Sequence, residues 1–138
     1  MIDAQRALIY TMVLLSAADG DMTDAELSKI GEIVRYLPAF KGLEARDLTK
    51  VTDECSRLLG DEDGLDKLID TIGGALTPAL RETAYALAVE VAAANGRVSV
   101  EVLRLLEMLR DRFDLDRLTA GAIEFGARAR HRVVNHLG

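Results

Sequence analysis

The sequence predicts an all-α fold, a bundle of about seven helices in two pseudo-symmetric halves. Aromatic residues make up only 4% of the 138 positions, Trp is absent, and Ala and Leu are abundant, a composition that favours helix over strand. No stretch alternates with period two for long enough to form a strand. Helical periodicity, punctuated by Gly, Pro and capping residues, covers nearly the whole chain. The length suits one domain, residues 1–138, able to bury a core without disulfides or metals.

Each element has its own start or stop. Over residues 3–18, Ala4, Leu8, Thr11, Met12, Leu15 and Ala18 form one apolar stripe, and Gly20 ends that helix. Thr23-Asp24-Ala25-Glu26 is a capping box, in which hydroxyl and carboxylate satisfy each other's orphan N–H groups. Leu27, Ile30, Ile33, Val34 and Leu37 make the buried stripe of the second helix, and Pro38 stops it. A third helix spans about 43–59 and is closed by Gly60, with "GDEDG" (60–64) as a turn. A short helix over about 65–75 ends at Gly73-Gly74. Thr77-Pro78 starts a fifth, running to Ala94 before Asn95-Gly96. Ser99 caps a sixth, to about Phe113, and Asp114 or Asp116 opens the last, as far as Val134.

Sliding the chain by 76 residues lays "VLLSAADGDMTDAEL" (13–27) over "VEVAAANGRVSVEVL" (89–103). Val13, Ala17, Ala18, Gly20 and Leu27 match Val89, Ala93, Ala94, Gly96 and Leu103, and the caps Thr23 and Ser99 coincide. The expected repeats span about 4–59 and 78–134. The alanines between 84 and 94 allow close helix approach, so the two Ala-rich helices are expected to pack centrally.

Charge is unevenly spread. Residues 1–76 carry 15 acids against 8 bases, net −7, and residues 77–138 carry 8 against 9, net +1. An acidic half argues against nucleic acid, which needs a basic face, and suits a cation or a basic partner surface. The single cysteine, Cys55, excludes an internal disulfide and fits a reducing, cytoplasmic setting. Residues 1–18 show no cationic, apolar pattern of a signal peptide, and no apolar run is long enough to span a membrane.

The one stretch with metal-ligand character is "AADGDMTDAEL" (17–27), which crowds Asp19, Asp21, Asp24 and Glu26 around a glycine. It is not an EF-hand loop. Counted from Asp19, the sixth position holds Asp24 instead of Gly, and the twelfth holds Ile30 instead of Glu. "DEDGLDKLID" (61–70) fails as well, because Gly64 is misplaced. The aligned second turn acts as an internal control: Asp19, Asp21 and Glu26 become Asn95, Arg97 and Val102. Asp19 sits beside a helix C-terminus, where a carboxylate costs ~0.3–1 kcal/mol. Glu26 falls on the core-facing side, where a carboxylate must find a partner. It either completes the capping box or, with Asp19, Asp21 and Asp24, faces a Ca2+ or Mg2+ ion whose shell waters complete, which implies weak binding.

Other chemistry is scarce. His131 and His136 lie five apart, about 140° round a helix, so they cannot share a metal and read as solvated tail residues. Cys55 reads as a buried, inert thiol among Val51, Leu58 and Leu59. Arg128, Arg130 and Arg132 form a small basic helix end, and residues 53–66 an acidic elbow, each solvated or a contact for a partner. No nucleophile–base pair and no phosphate loop can be assembled, so no enzyme is expected.

The two Gly turns, "AADGDMTDAEL" and "AAANGRVSVEVL", resemble the paired ADG-x-hydrophobic-[ST]-x-x-E turns of the TerB-like family of tellurite-resistance proteins, to which a domain of a DnaJ-like membrane co-chaperone also belongs. The resemblance covers about residues 5–125, and its second acidic turn is largely missing here. It implies an all-helical fold with pseudo-two-fold halves, acidic metal sites, and association with tellurite and stress resistance and with membrane-attached protein complexes. The resulting expectation is a non-enzymatic helical interaction module in a stress-response assembly, with a weak divalent-cation site. The alternative is a metal-ion sensor or buffer built on residues 19–26.

Overall fold

The computed structural model describes residues 2–18, 20, 22–94, 96 and 98–134. Among these, the chain forms seven α-helices and no strand: α1 (Ala4–Ser16), α2 (Asp24–Tyr36), α3 (Ala45–Leu59), α4 (Gly64–Ala75), α5 (Pro78–Ala94), α6 (Val100–Arg112) and α7 (Arg117–Arg130), with a 3-10 turn over Pro38–Phe40. The capping residues act where the sequence places them. Thr23 and Glu26 form both bonds of the capping box. Ser99 Oγ accepts from the Val102 N–H at 3.1 Å, and Thr77 Oγ1 from the Leu80 N–H at 3.2 Å. Of the two acids offered for α7, Asp116 is the cap, accepting from the Thr119 N–H at 2.6 Å, a bond that holds its carboxyl below the usual range.

α1 and α5 form the centre and make the most extensive helix–helix contact. The sequence offered α1 one apolar stripe, but every residue from Ala7 to Ser16 is buried, because α2, α3, α4 and α5 all pack against it. A helix apolar on most sides is stable only when enclosed in this way. α5 brings Ala84, Ala88 and Ala92 into the core, small residues at intervals of one helical turn.

The ends of α1 and α7 fall short of the sequence expectation, and the end of α4 has another cause than expected. α1 ends at Ser16, not at residue 18. α4 ends at Ala75 as expected, but Gly73 and Gly74 lie within the helix and do not stop it. Buried Ile72 and Leu76 hold that end of the helix, and the Gly73 carbonyl accepts from the Leu76 N–H at 3.4 Å and from the Arg81 guanidinium at 2.8 and 3.1 Å. α7 ends at Arg130, four residues short of Val134, where His131 turns toward α5.

α2 and α6 are each thirteen residues long and begin and end 76 positions apart. The turns before them carry Gly20 at φ +151° and Gly96 at φ +68°, backbone that side-chain-bearing residues rarely adopt. Each half also contains a tyrosine bonded across to its third helix, Tyr10 to Glu54 and Tyr85 to Glu124.

Candidate functional site

Two places on this scaffold bear on function. The first is the turn between α1 and α2. The Ala17 N–H donates to the Val13 carbonyl and the Gly20 N–H to that of Ala17, so the chain leaves α1 through a tight turn. Thr23 then receives α2: its N–H donates to Glu26 Oε1 at 2.9 Å, and its Oγ1 accepts from the Glu26 N–H at 3.1 Å. The box explains the position of Glu26 and places its negative charge at the positive end of the helix dipole. Asp24, exposed, shares that first turn. The expected ligands Asp19 and Asp21 lie outside the described residues. Of the four, the structure describes Asp24 and Glu26, which stand two positions apart in the first turn of α2 and so face different sides of the helix. Among the described residues, no group of three or more His, Cys, Asp or Glu side chains could hold a metal ion.

The corresponding position of α6 gives Glu26 a local context. Val102 is only 3% exposed, so this register of the helix faces the body of the protein. Glu26 is half-buried in the same register.

The second place is a groove of about 530 Å³ between α2, α5 and the end of α7. Its floor is apolar, formed by Ile33, Leu37, Ala86 and Leu87, with Tyr36 along one side. Leu37, which the sequence assigned to a buried stripe, is 38% exposed, and Tyr36 is 77% exposed, because α2 packs on α1 and leaves this flank uncovered. Charged residues form the rim: Lys29 pairs with Glu32 at 3.8 Å, and Glu90 pairs with Arg130 and, at 2.9 Å, with His131 Nε2. Partial burial pushes the Glu90 carboxyl up, but the hydrogen bonds and charges of Arg130 and His131 outweigh this and hold it below its ordinary value.

This cluster corrects two sequence expectations. His131 is not a solvated tail residue but a half-buried partner of Glu90, 41 positions away. Arg130 is engaged with the same carboxylate, and Arg128 lies over the Phe125 ring at 5.9 Å, so the basic end of α7 is partly tied down. His136 lies outside the described residues. The acidic elbow is also partly engaged: Arg112 donates to Asp66 at 2.9 Å and to Asp70 at 2.7 Å, joining α6 to α4. No local pattern announces such pairs, since their members are more than 40 residues apart and meet only through tertiary packing.

The single thiol and two of the three tyrosines are held in the core. Cys55 is buried, its Sγ 3.9 Å from the Tyr10 carbonyl oxygen. Burial, followed by the Glu54 charge, pushes the thiol up to about 12, the opposite of what a reactive thiolate needs. Tyr10 and Tyr85 are raised above the ordinary phenol value, first by burial and then by their bonds to Glu54 and Glu124.

A family model described as "Tellurite resistance protein TerB" matches residues 5–124. Neither a curated protein nor a solved structure matches the chain. Among the described residues, no helix is long and apolar enough to cross a membrane.

Proposed function

Because the chain belongs to the TerB family, we propose that it acts as a non-enzymatic helical interaction module in a tellurite- or chemical-stress-response assembly. Its partners are other proteins, including a membrane-attached complex, and not nucleic acid; its setting is the cytoplasm. The observation that carries this reading is the large groove with an apolar floor and a charged rim, the anatomy of a protein-docking surface. The fate of the reactive groups supports it, since the thiol and the two buried phenols are raised in pKa and built into packing. The net charge of −7 on residues 1–76 adds an acidic face for a basic partner.

The test is deletion of the gene in its host, plating on tellurite, and recovery of the tagged chain with its bound proteins. The proposal expects lost tolerance, restored by the wild-type chain, and a reproducible protein partner. Turnover of a substrate that survives repurification and disappears on a point mutation would overturn it.

A second reading is a weak Ca2+ or Mg2+ site at Asp19, Asp21, Asp24 and Glu26, serving as sensor or buffer. The observation favouring it is the half-buried Glu26 in the register where α6 buries Val102. We read residues 4–59 and 78–134 as repeats, supported by the matched bounds of α2 and α6, the paired glycine turns and the paired Tyr–Glu bonds.

A further inference from the structure

The groove between α2, α5 and α7 has a counterpart across the molecule. A cavity of about 290 Å³ is bounded there by α1, α3 and α6, with Leu65 of α4 as a further wall. Matching positions line the two. Lys29, Glu32 and Glu90 of the open groove stand 76 residues from Leu105, Met108 and Leu14 of the other. Arg130 closes α7 where Leu59 closes α3.

What separates the two is α4. It packs across α1, α3 and α6, burying Leu68, Ile69 and Ile72. With Leu65, these residues follow the spacing i, i+3, i+4, i+7 of a helix laid into a groove. Among the described residues, no helix does the same over α2, α5 and α7.

We propose that this groove seats an amphipathic helix of a partner protein, placed as α4 is placed in the counterpart. This deepens the interaction reading above and rests on it. α4 shows the shape of the occupant: a helix with aliphatic residues at i, i+3, i+4 and i+7, set on Ile33, Leu37, Ala86 and Leu87. The difference in lining indicates why the occupant comes and goes. Beside α4, a permanent part of the fold, the positions that match Lys29, Glu32 and Glu90 are Leu105, Met108 and Leu14, although Glu101 and Arg104 also line that cavity. Around the open groove the matching positions are charged and paired with one another, Lys29 with Glu32 and Arg130 with Glu90, so the rim stays hydrated when the groove is empty. A rim neutralised within itself attracts no charged stripe, so the inserted face is aliphatic. Arg112, which grips Asp66 and Asp70 of α4, is matched 76 positions away by Tyr36, whose phenol offers a hydrogen bond without demanding a carboxylate.

The test places the photoreactive residue p-benzoylphenylalanine at Tyr36 of the full chain, and separately at Glu62 in the acidic elbow. After irradiation in the native host, the crosslinked peptides are sequenced by mass spectrometry. The proposal expects crosslinks from position 36 on a partner helix whose aliphatic residues repeat i, i+3, i+4, i+7. Ala86→Trp, which fills the groove, should lower that yield about tenfold or more while leaving the yield at position 62 unchanged. If Ala86→Trp does not fold, Leu37→Asp at the exposed edge serves in its place, with the same expectation. Crosslinks at position 62 but none at 36, crosslinks to a segment without that helical pattern, or a yield untouched by the groove variants overturn the groove and leave the interaction reading standing. Crosslinks at neither position overturn both.

Discussion

The Tyr85 hydroxyl donates to Glu124 Oε2 at 2.5 Å, joining α5 to α7, and in the first half the Tyr10 hydroxyl donates to Glu54 and joins α1 to α3. Both rings are buried, 1% and 0% exposed, while their carboxylate partners reach solvent and also meet Arg110 and Arg6. A hydrogen bond to a charged group is worth more than a neutral one, but a wet acceptor can take water in exchange. Tyr85→Phe and Tyr10→Phe should therefore each lower stability by about 1–2 kcal/mol. The loss should be larger at Tyr10, because Glu54 is the less exposed acceptor, 25% against 38% for Glu124. Urea unfolding with an unchanged slope measures it, and two neutral substitutions would show that neither bond contributes.

Glycine substitutions should split by position. A Cβ on Gly64 would lie 2.4 Å from the Leu58 carbonyl oxygen and 2.8 Å from that of Leu59, where α4 begins against the end of α3. Backbone cannot yield as a side-chain tip can, so Gly64→Ala should cost about 1–3 kcal/mol or more. Gly73 and Gly74 lie inside α4 with nothing within 4 Å of an added Cβ. There, alanine should stabilise by about 0.5–1 kcal/mol at each position, through a less free unfolded chain. Thermal melts of the three single variants check the ordering, and a stabilised Gly64→Ala would contradict the packing described.

That contrast also shows which features the sequence exposes. Thr23, Thr77, Ser99 and Asp116 act locally, through bonds to N–H groups three residues on, and such signals can be read along the chain. The same holds for the family turns. Gly73-Gly74 misleads because its helical state is set by buried Ile72 and Leu76 and by Arg81, which belongs to the next helix. Periodicity gives α1 one stripe because it reports what is apolar, not how many neighbours enclose it. The Glu90–Arg130–His131 cluster and the groove below it have no local signature, since they arise where α5, α7 and α2 meet. Of the four acids proposed for the turn, Asp24 and Glu26 lie among the described residues, and the local bond to Thr23 accounts for the position of Glu26.

Alkaline pH should destabilise the fold through buried protons. Cys55 in the folded chain is raised from 9.0 to about 12, and Tyr10 and Tyr85 are raised above 10.0. For an acid whose folded pKa is raised, the unfolded chain releases its proton first, so stability falls as pH climbs past the unfolded value. The melting temperature should begin to drop near pH 9.0 and fall faster beyond 10.0. Cys55→Ala should delay the first decline, and Tyr85→Phe should shallow the second. At neutral pH, a thiol reagent should modify Cys55 only at the rate of unfolding. Prompt labelling of the native protein would show an exposed thiolate and defeat this account.

The acidic turn separates cap from ligand by one substitution. Glu26→Gln keeps an acceptor oxygen for the Thr23 N–H, and glutamine suits the same position of a capping box. It removes the charge a divalent cation needs. If Asp19, Asp21, Asp24 and Glu26 hold a weak Ca2+ or Mg2+ ion, metal at ten times its dissociation constant should stabilise the wild type by about 1.4 kcal/mol, a rise of a few degrees in melting temperature. Asp19→Asn should abolish that rise and, without metal, leave stability unchanged or better, because the sequence puts this carboxylate just after the α1 C-terminus, where negative charge is unfavourable. Glu26→Gln should shrink the metal response while leaving the metal-free melt close to wild type. Thr23→Ala should do the reverse, costing about 1 kcal/mol with or without metal. A wild-type melt indifferent to both cations, or an equal rise in Asp19→Asn, would reduce the turn to a helix cap, with the Thr23–Glu26 pair as its whole content.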